Sequence, residues 1–161
     1  MSDAAFQTAL AARDAFGRLG LATEILTGGS TGTWDIDTLR PEVTEMQAGS
    51  YVLMDIEYGR VGVPFRNALT VMATVVSANH DTFVTVDAGF KAISADRGYG
   101  PDNYRWGGDE FGYVDFSGAK PKLGDRIELI PPHCDPTVNL HNRIYACRGE
   151  NVEAAWPVMD R

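Results

Sequence analysis

From about residue 42 onward the chain is cut into short segments rich in β-branched and aromatic side chains, each closed by turn residues. Residues 51–55, 69–76, 82–86, 126–130, 143–147 and 152–156 all read as β-strands. The breaks between them hold groups such as Ala78-Asn79-His80-Asp81 and Gly149-Glu150-Asn151, which favour chain reversal. Many short strands at close spacing predict an all-β barrel or sandwich. Neither an internal repeat nor a low-complexity tract interrupts the series.

The first forty residues follow a different period. Phe6, Leu10, Phe16 and Leu19 recur at helical spacing among alanines, predicting a helix over residues 2–19 that Ser2 or Asp3 caps and Gly20 ends. Thr23-Glu24-Ile25-Leu26 reads as a short strand running into Gly28-Gly29-Ser30-Thr31-Gly32-Thr33. Helix, strand and glycine-rich loop in that order are how a (β/α) barrel ends. The loop fits a flexible connection. It also fits a phosphate cradle, with backbone amides approaching an anion and the hydroxyls of Ser30, Thr31 and Thr33 adding donors. It is not a Walker A loop, because no Lys-Ser/Thr pair follows at the required offset.

A chain of 161 residues can bury one core, and its net charge of −8 argues against a nucleic-acid or anionic-membrane surface. Apolar runs stay well short of the roughly 20 residues of a membrane span. The N-terminus lacks the basic-then-apolar layout of a signal peptide. Cys134 and Cys147 are too few for a disulfide framework, although one bridge stays open, and the expected compartment is the cytoplasm.

Three stretches carry chemistry. In Pro131-Pro132-His133-Cys134-Asp135-Pro136-Thr137-Val138-Asn139-Leu140 the prolines disfavour helix at the residues before them, so an extended segment is expected. Alternation then puts His133 and Asp135 on one face and Cys134 on the other, which makes half of a divalent-metal site. Asp87-Ala88-Gly89-Phe90-Lys91 reads first as a tight turn held by Gly89 and capped by the aspartate. The stretch over residues 97–113 is glycine-rich and irregular, and Asp109 and Glu110 sit there beside aromatic side chains. Such loops are either solvated turns or functional segments.

The segment from His133 to His141, with Val152-Glu153-Ala154-Ala155-Trp156-Pro157-Val158 after it, resembles the C-terminal region of D-threonine aldolases and D-serine dehydratases. These are pyridoxal-phosphate lyases of the alanine-racemase type. The glycine loop and the Asp-x-Gly-x-Lys turn resemble the family less specifically. The resemblance implies a barrel remnant over residues 1–40 and an all-β D-serine dehydratase-like C-terminal domain over residues 41–161. It implies that His133 and Asp135 hold a catalytic divalent metal, that Gly28, Gly29, Ser30, Thr31, Gly32 and Thr33 contact the cofactor phosphate, and that Asp109 lies near the metal or faces the substrate. Dehydratases resemble one another in carrying Cys where this chain has Asp135, so the aldolase reaction is expected, giving glycine and an aldehyde from a β-hydroxy-D-amino acid. A serine or 3-hydroxy-D-aspartate dehydratase and a non-catalytic β-domain are the alternatives. A carboxylate ligand suits Mn²⁺ or Mg²⁺ more than Zn²⁺. A homodimer is expected. Lys91, Lys120 and Lys122 all lie downstream of the barrel remnant, whereas the family's cofactor lysine belongs to the first barrel strand. The chain alone is therefore expected to be inactive.

Overall fold

The structure, a computed structural model, describes residues 2–159. It is mainly β and is divided into two compact units, residues 1–51 and residues 52–161.

The first unit opens with helix α1 (Ser2–Arg18), in whose first turn Asp3 lies favourably for the helix dipole. Asp3 is inside the helix and its carboxylate pairs with Arg40; the side chain of Ser2 lies outside the described residues. Gly20 ends the helix as expected: it takes φ +75°, and the amides of Gly20 and Leu21 donate to the carbonyls of Gly17 and Phe16. The strand expected at residues 23–26 is displaced. Pairing begins only at Leu26, whose carbonyl accepts from Thr44 N at 2.9 Å, and the strand itself is β1 (Thr27–Gly28). It runs parallel to β2 (Glu45–Met46). A 3₁₀ turn (Thr31–Thr33) and helix α2 (Trp34–Asp37) lie between them.

Residues 51–55 do not form the expected strand. A 3₁₀ turn covers Ser50–Val52, Met54 takes φ 56°, and Asp55 caps helix α3 (Ile56–Arg60). The side-chain pattern is strand-like, but a left-handed residue followed by a capping aspartate turns the backbone away from any ladder.

The second unit is built on a curled, half-barrel sheet of five antiparallel strands in the order β5-β6-β4-β3-β7. These are β3 (Val71–Ser77), β4 (Phe83–Val86), β5 (Tyr104–Trp106), β6 (Gly112–Asp115) and β7 (Arg126–Leu129). Alternation along β3 sends Val71, Ala73 and Val75 inward, where they meet Val84, Val86, Ile93, Tyr104, Val114 and Leu129. Burying a valine, leucine or isoleucine side chain contributes about 1.5–3 kcal/mol. Strand β5 and the start of β6 arise inside the stretch read as irregular, and Gly112 is why the two can pair beneath Tyr104. A Cβ there would lie 2.2 Å from the tyrosine ring and 2.6 Å from the carbonyl of Ala88, to which the Tyr104 hydroxyl donates. Helix α4 (Cys134–Asn139) follows β7, and a separate hairpin pairs β8 (Arg143–Arg148) with β9 (Asn151–Pro157) around Gly149 at φ 60°.

No helix among the described residues is long and apolar enough to cross a membrane.

Candidate metal centre at the start of α4

The segment expected to be extended is helical. His133 keeps extended backbone (φ −146°, ψ 121°) as the N-cap, and α4 begins at the next residue. Pro136 does not prevent this, because it falls in the first turn, where an amide has no intrahelical acceptor to lose. Asp135 also lies in that first turn, where the dipole favours a carboxylate.

What holds the helix start in place is Asp55, which is fully buried. Its Oδ1 accepts from Tyr58 N at 2.9 Å, and its Oδ2 accepts from Cys134 N at 2.8 Å. The amides of Ile56 and Glu57 donate to the carbonyls of Pro131 and Pro132 at 3.1 and 3.2 Å. With Gly59 N donating to Asp55 O at 3.0 Å, all four amides of the first turn of α3 are satisfied. The two buried prolines bring carbonyls into this junction without any N–H of their own.

A second loop completes the site. Ser94 N donates to the buried Thr137 Oγ1 of α4 at 3.3 Å, and Ser94 Oγ donates to Asp96 Oδ1 at 2.5 Å. Asp96 Oδ2 in turn lies 2.6 Å from His133 Nδ1. A carboxylate in this position makes Nδ1 the protonated nitrogen and leaves the Nε2 lone pair outward, the tautomer a metal ligand needs. Nε2 is 3.4 Å from Asp135 Oδ2. Two atoms each about 2.1 Å from one ion stand roughly 3.0–3.4 Å apart, so the pair fits a single cation. Among the described residues no three such side chains gather with metal-ligand spacing, so His133 and Asp135 offer two protein ligands. Arg97 stands beside them, its Nη2 3.3 Å from His133 Nε2 and its Nε 3.5 Å from Asp96 Oδ2.

Partial burial pushes the Asp96 carboxyl up, but hydrogen bonds from Ser94 and His133 and the charges of His133 and Arg97 outweigh it and hold the group below the usual range. Its folded pKa being depressed, the stability it contributes is present above the ordinary carboxylate range and is lost as pH falls through the lowered value. The Cys134 thiol moves the other way. Burial, then hydrogen bonds and charges from Asp135 and Asp55, push it up to about 12. This stabilises the neutral thiol at pH values where an unfolded cysteine ionises, and the contribution is lost as pH rises toward that value. Both cysteines are free; Cys134 is buried and Cys147 exposed. Native protein treated with iodoacetamide at pH 8 is therefore expected to take one label, at Cys147, as read by peptide mass spectrometry. Native labelling of Cys134 at a comparable rate would contradict this picture.

Asp109 is exposed on the turn between β5 and β6, and its main-chain carbonyl accepts from Lys91 N at 3.1 Å while Lys91 Nζ pairs with Glu110. Residues 28–33 belong to the first unit. There Gly29 takes φ +77°, and a Cβ on it would lie 2.7 Å from Met46 Cε. Ser30 and Thr33 form a capping box, Ser30 Oγ accepting from Gly32 N at 3.2 Å and Thr33 Oγ1 accepting from Ser30 N at 3.1 Å. Buried Thr31 accepts Tyr51 N at 3.1 Å. The three hydroxyls thus brace the turn itself, and the amides of Ser30, Gly32 and Thr33 are all engaged within it. Asp87, read as the cap of its own turn, accepts from Thr74 N of β3 at 2.6 Å instead.

Sequence reasoning missed Asp55, Ser94, Asp96 and Arg97. The one local signal was the Ser94-Ala95-Asp96 spacing, in which the serine hydroxyl also accepts the aspartate amide at 3.3 Å.

Residues 68–147 match the family described as "Putative serine dehydratase domain", which makes this stretch a D-serine dehydratase-like domain. The chain belongs to that family as a homologue of the C-terminal part of D-threonine aldolases and 3-hydroxy-D-aspartate aldolases. It is 36% identical over 174 aligned positions to the 3-hydroxy-D-aspartate aldolase of Paracoccus denitrificans (strain Pd 1222), covering 99% of this chain and 45% of that protein. The crystal structure of D-threonine aldolase from Filomicrobium marinum superposes with a TM-score of 0.82 at 34% identity, over 96% of this chain and 45% of that one. An alanine-racemase-like protein of Idiomarina loihiensis shares the fold at a TM-score of 0.73 and 22% identity, over 91% of this chain and 46% of its own. The chain thus spans less than half the length of these relatives.

Proposed function

We propose that this chain is the metal-holding C-terminal part of a pyridoxal-phosphate-dependent lyase of the D-threonine aldolase type, acting on β-hydroxy-D-amino acids to give glycine and an aldehyde. The metal-holding part of this reading rests on the 2.6 Å contact of Asp96 with His133 Nδ1, which turns Nε2 toward Asp135, and the lyase class rests on the similarity to the aldolases. When bound, the cofactor supplies an electron sink and the divalent ion a Lewis acid for the substrate hydroxyl. His133 and Asp135 hold the ion, and the carboxylate favours Mn²⁺ or Mg²⁺. Asp96 fixes the imidazole tautomer, and Asp55 fixes the helix start from which both ligands project. The turn formed by Gly28, Gly29, Ser30, Thr31, Gly32 and Thr33 orients the phosphate. Asp109 faces the substrate. Asp135 in place of a cysteine supports cleavage of a carbon–carbon bond over dehydration.

The 161-residue protein is expected to bind Mn²⁺ in calorimetric titration, and His133→Ala and Asp135→Ala are each expected to lose at least about tenfold in affinity. Equal binding by all three proteins would sink the assignment. With pyridoxal phosphate, Mn²⁺ and D-threonine, the same polypeptide is expected to release no glycine. Its three lysines, at 91, 120 and 122, all lie in the second unit, downstream of the barrel remnant. Sustained release would show one of them tethering the cofactor.

A further inference from the structure

The guanidinium of Arg97 lies where an ion on His133 would have to enter. Its Nη2 is 3.3 Å from His133 Nε2, the ring nitrogen whose lone pair the Asp96 contact leaves outward. The same side chain stays beside Asp96 through Nε at 3.5 Å, and it is 39% exposed, so it has room to swing without leaving its carboxylate. A donor N–H and a metal cannot share one nitrogen lone pair, and two cations at contact distance repel.

We propose that Arg97 is the resident cation of this centre and sets its metal affinity: the guanidinium and the divalent ion exclude one another at His133 Nε2. The inference rests on the assignment of His133 and Asp135 as metal ligands. Binding then has two parts, release of Arg97 from the imidazole and entry of the ion, and the first lowers the observed affinity. Arg60, the other arginine nearby, lies over the Tyr99 ring at 3.9 Å and is engaged there. It serves as a control for simple loss of positive charge.

Mn²⁺ titrations of the 161-residue protein are compared for wild type, Arg97→Gln, Arg60→Gln and His133→Ala, with ¹⁵N spectra of the histidine rings recorded before metal is added. Arg97→Gln is expected to bind roughly tenfold more tightly than wild type, the scale of one charge-assisted hydrogen bond. Arg60→Gln is expected to match wild type, and the Nε2 resonance of His133 to move in Arg97→Gln alone. Binding by Arg97→Gln equal to or weaker than wild type, or a matching gain in Arg60→Gln, would overturn the inference and leave the metal centre standing. Absence of Mn²⁺ binding by wild type and Arg97→Gln alike would overturn both. Arg97→Lys, which keeps the charge and loses the fork, is expected to fall between wild type and Arg97→Gln.

Discussion

Asp55→Ala is expected to destabilise the second unit by about 2–5 kcal/mol, the sum of a lost helix cap and a buried amide left without an acceptor. Truncation removes both carboxylate oxygens at once. Tyr58 N loses its cap in α3, and Cys134 N is left orphaned inside a junction whose surroundings are fully buried. Water cannot easily replace the acceptor, since Cys134, Pro131 and Pro132 all lie below 2% exposure. For a unit of this size the melting temperature should fall by at least about 10 °C. Asp55→Asn keeps one acceptor and should lie between the two. Mn²⁺ affinity should fall alongside stability, because α4 carries Asp135 in its first turn. A melting curve for Asp55→Ala within about 0.5 kcal/mol of wild type would refute the junction as described.

Gly89→Val is expected to be comparably damaging, at about 2–5 kcal/mol, for overpacking together with two broken backbone hydrogen bonds. The glycine is needed there because another stretch of backbone passes too close for any side chain. A Cβ at position 89 would lie 2.3 Å from the Gly108 carbonyl oxygen and 2.5 Å from that of Asp109. These same carbonyls accept from Phe90 N and Lys91 N at 3.1 Å each, so moving them aside breaks both bonds. Gly59→Ala provides the contrast. Gly59 is in α3 with open space around its Cα, and alanine there should be neutral or stabilising by up to about 1 kcal/mol. Chemical denaturation of the two variants checks the pair. A Gly89→Val protein as stable as Gly59→Ala would mean that the loop at 108–109 yields without cost.

The strands that were legible in the sequence are those whose pattern is decided by their own side chains. Val71, Ala73 and Val75 alternate inward, and the runs ending at Val86 and Leu129 lie within a residue of where they were expected. Strands β5 and β6 were hidden because their pairing depends on Gly112, which carries no strand signal, lying under a tyrosine eight residues away. Helix α4 was hidden by Pro136, whose effect reverses between a first turn and a helix interior. In the candidate site, His133 and Asp135 stood out because they are two residues apart. Asp96 and Asp55 did not, because they reach α4 from 37 and 79 residues away, and no local spacing encodes such contacts.

The junction of α3 and α4 also bears on how the second unit breathes. Each helix start is completed by groups from the other: α3 takes carbonyls from Pro131 and Pro132, and α4 takes an oxygen from Asp55. Fraying the first turn of α3 therefore strips an acceptor from Cys134, and loosening the lead into α4 strips two from α3. Helix ends are ordinarily the first places where amide protons exchange with solvent. Here the two ends share one closed hydrogen-bonded circuit, so the protons of Ile56, Glu57, Tyr58 and Cys134 are expected to exchange together, in a single cooperative opening event.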